Sequence, residues 1–172
     1  DCIDACSAPG NKTSHLIALL HTLNSRPTPN NQQARLFAAP TVTAFERDRR
    51  RVALLARQLR KAGVAGLEKF PKQRRNGQLR SCAGQTPGGA VKVVVQEGNF
   101  LATNPAEYPN VRALLVDPTC SGSGMVGRVD HLLRHADPTT PEQHDAKIAK
   151  IAAFQTKILT HALSFPSAQQ VV

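Results

Sequence analysis

The 172-residue chain has no tryptophan, one tyrosine and six phenylalanines, so no aromatic platform for stacking unpaired bases is evident. No apolar run approaches the roughly 20 residues that a membrane-spanning helix requires. No secretory leader is visible, because the chain opens on a polar–apolar segment that reads as a strand. The four cysteines, Cys2, Cys6, Cys82 and Cys120, form no C-x-x-C pair, which argues against a zinc finger or ribbon. The six histidines show no metal-ligand spacing. In a chain of this length without a leader, a disulfide framework is not expected, and the thiols read as free in a reducing compartment. Acidic residues are also scarce. Twelve Asp and Glu stand against 22 Lys and Arg, a net charge of +10, and a surface that basic favours a polyanion, most simply nucleic acid. An apolar fraction of 41% suits one globular domain with a core of its own.

What is present is an alternation of strand-like and helix-like segments, which argues for α/β with a mostly parallel sheet. Residues 2–5 read as the end of a strand. A helix is expected over 12–23, with Leu16, Ile17, Leu19, Leu20 and Leu23 at helical spacing. A loop rich in Pro, Asn and Gln covers 25–35, and Thr41–Glu46 reads as a strand ending on an acid. Asp48 caps a strongly basic helix, 49–62, with Val52, Leu55, Ala56 and Leu59 on one face and Gly63 as its stop. Residues 66–90, with Lys69, Lys72, Arg74, Arg75, Arg80 and several Gly and Pro, read as a mobile basic insertion outside the core. This insertion, rather than the basic helix, is expected to touch the polyanion. Further strands are expected at 91–96 and 113–117, then a long helix over Pro141–Leu163, and a strand that begins at 169–172. Both ends fall inside strands, so the chain is expected to be part of a longer domain.

Two runs carry the chemistry. In the first, Asp4-Ala5-Cys6-Ser7-Ala8-Pro9-Gly10-Asn11-Lys12-Thr13, a strand feeds a turn of small residues and then a helix, bringing backbone N–H groups to one point. It is neither a phosphate loop nor the dinucleotide G-x-G-x-x-G pattern. Glu46 ends the next strand, where an acid either accepts both hydroxyls of a ribose or is merely solvated. In the second run, Asp117-Pro118-Thr119-Cys120-Ser121-Gly122-Ser123-Gly124 follows the apolar Ala113-Leu114-Leu115-Val116. A carboxylate, a stiff turn and a thiol then sit at the carboxyl end of a buried strand, where open α/β sheets bind ligands. A buried, inert thiol is the alternative for Cys120.

These two runs resemble the paired signatures of the Sun/Fmu family of RNA cytosine-5 methyltransferases, and the resemblance extends from Asp4 to Phe165-Pro166-Ser167-Ala168-Gln169. It implies an α/β class I methyltransferase fold: a Rossmann-like, parallel-type sheet with flanking helices, here truncated at both ends. It also implies S-adenosylmethionine as cofactor and RNA as partner, with no metal and no membrane, in a monomer. The Cys120-Ser121-Gly122-Ser123-Gly124-Met125 form and the Phe165-Pro166-Ser167 ending are similar to the eukaryotic Rcm-like branch, which modifies large-subunit ribosomal RNA. That branch implies the nucleus or nucleolus.

By the same resemblance, Cys6, Ser7, Ala8, Pro9, Gly10, Asn11 and Lys12 wrap the methionine end of the cofactor, and Glu46 holds its ribose. Arg51 falls on another cofactor contact. Asn99 stands where the family usually has an Asp near the adenine; its amide carbonyl still offers an acceptor but brings no charge. Cytosine carbon 5 is a poor nucleophile until a thiolate adds to carbon 6. Asp117 is placed to hydrogen-bond the cytosine edge, and it also belongs to the cofactor set. Cys120 corresponds to the thiol that releases the methylated product, while the attacking cysteine is expected beyond Val172. A non-catalytic RNA-binding or ribosome-assembly factor with a retained pocket is the alternative. A small-molecule or protein methyltransferase would leave 117–120 unexplained.

Overall fold

Strand β2 (Thr41–Glu46) is buried at every residue after the first, which requires cover on both faces of the sheet. A computed structural model, which describes residues 1–25, 38–67, 80–121 and 141–172, supplies that cover. The remaining elements are β1 (Cys2–Asp4), α1 (Asn11–Ser25), α2 (Arg49–Lys61), β3 (Arg80–Gln85), β4 (Lys92–Glu97), β5 (Ala113–Leu115), α3 (Pro141–Leu163) and β6 (Gln170–Val171). The sheet order is β3-β4-β2-β1-β5-β6, parallel throughout except for β3, which runs antiparallel to β4. This is the α/β fold of the Rossmann-like methyltransferases. Among the described residues, no helix is long and apolar enough to cross a membrane.

Two apolar layers sandwich the sheet. On one face Val42, Val93 and Val95 meet Ile17 of α1 and Val52, Leu55 and Leu59 of α2. On the other, Ile3, Phe45 and Leu114 meet Phe100, Ile158 and Ala162 of α3, and Phe165 just beyond it. Each large aliphatic side chain so buried stabilises the fold by about 1.5–3 kcal/mol. From β1 the chain winds one way through β2 to β4, then returns to the other side of β1 for β5 and β6. The reversal between β1 and β5 opens a crevice at the carboxyl ends of these strands.

Helix α2 starts where the sequence expects it to. Asp48 Oδ1 accepts from the Arg50 and Arg51 backbone N–H groups at 2.8 and 2.9 Å, and these bonds hold its pKa below the ordinary carboxylate value. Gly63 follows the helix with φ 91°, a conformation that suits glycine.

The expectation that 66–90 lies outside the core is corrected at both of its ends. Leu67 is 1% exposed, and Arg80–Gln85 is an edge strand whose Cys82 is buried. Arg80 is itself buried and pairs with Glu97 at 3.2 Å. The strand is hard to see in the sequence because its inward positions are an arginine and a cysteine. Lys69, Lys72, Arg74 and Arg75 lie outside the described residues.

Residue Ala65 bridges Gln85 through two backbone hydrogen bonds of 2.9 and 3.0 Å. A Cβ on Gly84 would sit 2.3 Å from the Ala65 carbonyl oxygen and 3.0 Å from Leu67. The clash outweighs the few tenths to 1 kcal/mol gained when alanine stiffens the unfolded chain. Gly84→Ala should therefore lower unfolding free energy by about 1–3 kcal/mol in urea titration and speed amide exchange in β3. An unchanged midpoint would show that the Ala65 crossing is looser than described.

Candidate functional site

The site is built on a buried carboxylate. Asp4, 1% exposed, ends β1 and accepts from Thr13 Oγ1 at 2.7 Å and from the Cys6 backbone N–H at 3.2 Å. Around it the turn is stapled to its neighbours: Ser7 Oγ donates to the Asp4 carbonyl, Ser7 N to Phe45 O, and Ala5 N to Leu115 O. Gly10 then turns the chain into α1 with φ 111°, and a Cβ there would lie 2.9 Å from Leu55 Cδ1. Only glycine allows α1 to start this close to α2. Burial raises the Asp4 pKa and the charge of Asp117 adds to the rise, while the hydrogen bonds from Thr13, Cys6 and Ser7 oppose it.

Above this turn lies a cleft of about 470 Å³. Ala5, Cys6 and Ala8 form its base and Lys12 of α1 closes one side. The β2–α2 turn supplies Glu46, Arg47 and Arg51, and the segment after β4 supplies Gly98, Asn99 and Phe100. Asp117 to Cys120 enter from the end of β5, and Phe154 and Ile158 from α3. Cys6, Ala8, Lys12, Glu46, Arg51, Asn99, Asp117 and Cys120, all singled out from sequence, thus share one cavity. Ser7, Pro9, Gly10 and Asn11 do not line it; they shape the turn beneath. Gly122, Ser123 and Gly124 lie outside the described residues.

Several of these side chains are committed to one another. Glu46, 8% exposed, accepts from the Asp48 N–H at 2.8 Å and lies 3.4 Å from Arg51. Arg51 also donates to the Ala8 carbonyl at 2.7 Å, tying α2 to the turn. Asn99 Oδ1 accepts from Leu101 N at 3.2 Å, so the amide caps the turn Phe100–Ala102 and keeps one lone pair and its NH₂ group for the cleft. Phe100 is fixed edge-on by Phe45 and His161 and stacked on Phe165. Thr103 Oγ1 donates its proton to Phe100 O, so His161 Nε2 must be the donor in its 3.0 Å bond to Thr103. Lys12 Nζ and the Asp117 carboxylate form an ion pair across the cleft mouth. Gln155 of α3 donates to Thr119 O at 3.1 Å, holding the loop that carries Cys120.

The two cleft thiols differ. Burial pushes Cys6 up to about 11, helped by the charges of Asp4, Glu46 and Asp117 and opposed by Arg51. It is a neutral thiol at physiological pH. Cys120 is exposed and lies in the wall between this cleft and a second cavity of about 390 Å³ under Gln155, Leu159 and Val171. All four cysteines are free, and Cys2 and Cys82 are buried. Among the described residues, no three His, Cys, Asp or Glu side chains converge on a metal site.

Sequence reading missed the role of Asp4, although it heads the first run. It also missed Arg47, beside Glu46, and Phe154 and Ile158, for which no sequence signal exists because α3 reaches the cleft only through the tertiary fold.

Two outcomes follow from this geometry. Iodoacetamide at pH 8 should alkylate Cys120 well before Cys6, whose labelling should climb only as pH approaches about 11; equal rates would contradict the buried placement of Cys6. Asp4→Ala takes the acceptor from the Cys6 N–H, leaves the Thr13 hydroxyl only its 3.3 Å contact with Ser7 O, and should cost about 1–3 kcal/mol of stability. Because folding raises the Asp4 pKa, its contribution is full below the ordinary carboxylate value and is lost as pH rises through the folded value. Asp4→Asn should flatten that decline in a plot of unfolding free energy against pH.

The chain is similar over 99% of its length to three ribosomal RNA methyltransferases. It is 33% identical to a 25S rRNA (cytosine-C(5))-methyltransferase of Arabidopsis thaliana, covering 23% of that protein. It is 32% identical to one from Schizosaccharomyces pombe, covering 28%, and 33% identical to a 28S rRNA (cytosine-C(5))-methyltransferase of Mus musculus, covering 27%. No family model and no solved structure matches the chain. The chain spans about a quarter of the length of these relatives. Over that span the chain is similar to eukaryotic rRNA (cytosine-C(5))-methyltransferases.

Proposed function

We propose that this chain forms the cofactor-binding core of an enzyme that methylates carbon 5 of a cytosine in large-subunit ribosomal RNA, using S-adenosylmethionine. The observation that carries the reading is the convergence of Cys6, Lys12, Glu46, Arg51, Asn99, Asp117 and Cys120, from four separate stretches of sequence, on one cleft at the strand reversal. The charge pattern supports it: Asp4, Glu46 and Asp117 all raise the Cys6 thiol, and the field that does so favours a cation at the base of the cleft. When bound, S-adenosylmethionine supplies an electrophilic methyl group on just such a cation, its sulfonium.

Each residue then has a task. Glu46 takes the ribose hydroxyls with the acceptor capacity that Asp48 N and Arg51 leave open. Phe100 and Asn99 line the adenine end, with the Asn99 NH₂ or spare lone pair facing the base. The turn 6–12 wraps the amino-acid end, and Pro9, Gly10 and Asn11 hold its shape. Asp117, released from Lys12, hydrogen-bonds the cytosine edge. A thiolate of the whole protein would add to carbon 6 and raise the electron density at carbon 5, and carbon 5 would take the methyl group as its bond to the sulfonium sulfur breaks and a neutral thioether leaves. Loss of the carbon-5 proton and departure of the thiolate restore the ring. Cys120, exposed beside Asp117, serves that release, and the attacking thiol comes from another cysteine of the whole protein. An rRNA substrate places the protein in the nucleus or nucleolus.

The test has two parts. Glu46→Ala should weaken S-adenosylmethionine binding about 10- to 100-fold by calorimetry, the equivalent of a charged hydrogen bond worth roughly 1.5–3 kcal/mol; no change would remove Glu46 from the cofactor site. In the whole protein, Cys120→Ser should accumulate a covalent protein–RNA adduct on gel electrophoresis. Loss of methyl transfer without an adduct would make Cys120 the attacking thiol.

A further inference from the structure

Helix α2 carries Arg49, Arg50, Arg51, Arg57, Arg60 and Lys61 and not one carboxylate. All six are exposed. Arg51 pairs with Glu46, and among the described residues none of the other five has an ion pair. Val52, Leu55, Ala56 and Leu59 form the buried stripe. At 3.6 residues per turn, Arg50, Arg57 and Lys61 lie directly opposite that stripe, with Arg49 and Arg60 on one flank.

A helix that needs only to be soluble gains from alternating signs at i, i+4 spacing. This one does the reverse. Arg57 and Lys61 repel at i, i+4, and three arginines occupy the first turn, the positive end of the helix dipole. Asp48 at the cap and Arg60 and Lys61 in the last turn favour the helix, but the arginines of the first turn and the Arg57–Lys61 repulsion oppose it, an opposition that a bound polyanion would relieve. The row also has a direction. Its first turn stands at the rim of the cleft, which Arg47 and Arg51 line, and from Arg50 to Lys61 it runs about 16 Å away at 1.5 Å per residue.

We propose that this face of α2 is a docking rail for the phosphate backbone of the RNA whose cytosine enters the cleft. The inference rests on the methyltransferase reading and adds a substrate contact to it, on the helix that the sequence reading set aside in favour of 66–90. RNA fits better than an acidic protein. Five of the six cations are arginines, whose planar forks match phosphate oxygens. The row offers one large apolar side chain, Leu54 at 45% exposure, and no aromatic, which is too little for the desolvated centre of a protein interface.

The test is a triple variant of the full chain, Arg50→Gln, Arg57→Gln and Lys61→Gln, titrated by fluorescence anisotropy against a single-stranded segment of large-subunit rRNA over a range of salt. These exposed positions carry no packing, and circular dichroism checks that the helix persists. Three lost phosphate contacts should make the slope of log affinity against log salt shallower by about 2, at roughly 0.7 per phosphate. Affinity at low salt should fall at least 10-fold whatever the RNA sequence. Replacing both arginines by lysine should keep most of the slope. An unchanged slope overturns the rail and leaves the face to an acidic protein. S-adenosylmethionine affinity, read in the same variant, should not move; its absence in the unaltered chain would sink the methyltransferase reading instead.

Discussion

Asp4 stands where β1, the turn after it and helix α1 are joined. Its carboxylate takes the hydroxyl of Thr13 in α1 and the N–H of Cys6 in the turn, while its own strand pairs with β2 on one side and β5 on the other. A carboxylate with 1% exposure is costly to bury unless its acceptors are occupied. Here hydrogen bonds offset part of that cost and also fix where α1 begins. Once α1 is set, Gly10 brings it against Leu55 of α2, and Arg51 locks α2 back onto the Ala8 carbonyl. The shape of the cleft follows from that sequence of contacts.

The charges of the site are arranged by depth. Asp4 and Glu46 are buried, while Lys12 and Asp117 stand at the mouth with their side chains 60% and 51% exposed. The exposed pair is held only weakly, since surface ion pairs contribute about 0–1 kcal/mol. A ligand that offers Asp117 a better partner can separate it from Lys12 at little cost. The buried acids cannot rearrange, and they define the base of the cleft in advance of any ligand.

Much of this is written locally. The Asp48 cap, the four-residue apolar stripe and Gly63 delimit α2, and the unbroken Val93-Val94-Val95 run marks a strand covered on both faces. The cleft residues Cys6, Glu46, Asp117 and Cys120 stand at or just past strand ends, so the order of elements already implies their proximity. What fails is whatever depends on partners far away in sequence. β3 is stabilised by Glu97 meeting Arg80 and by Ala65 bridging Gln85, neither of which leaves a periodic pattern. Asn99 reads as a substituted ligand, yet its carbonyl also caps the turn after it, a local hydrogen bond that residue type alone permits but does not announce. Phe154 and Ile158 reach the cleft because α3 packs on Phe100, and nothing within α3 reports that.

The edge strand has one more effect. Its register is held at both ends: Arg80 faces Glu97 at one, and Gln85 is bridged by Ala65 at the other. A slip of one residue along β4 would break the ion pair and swing Cys82 out of the core in the same step. The antiparallel edge therefore has one pairing, although its own sequence carries no strand-like alternation of apolar residues.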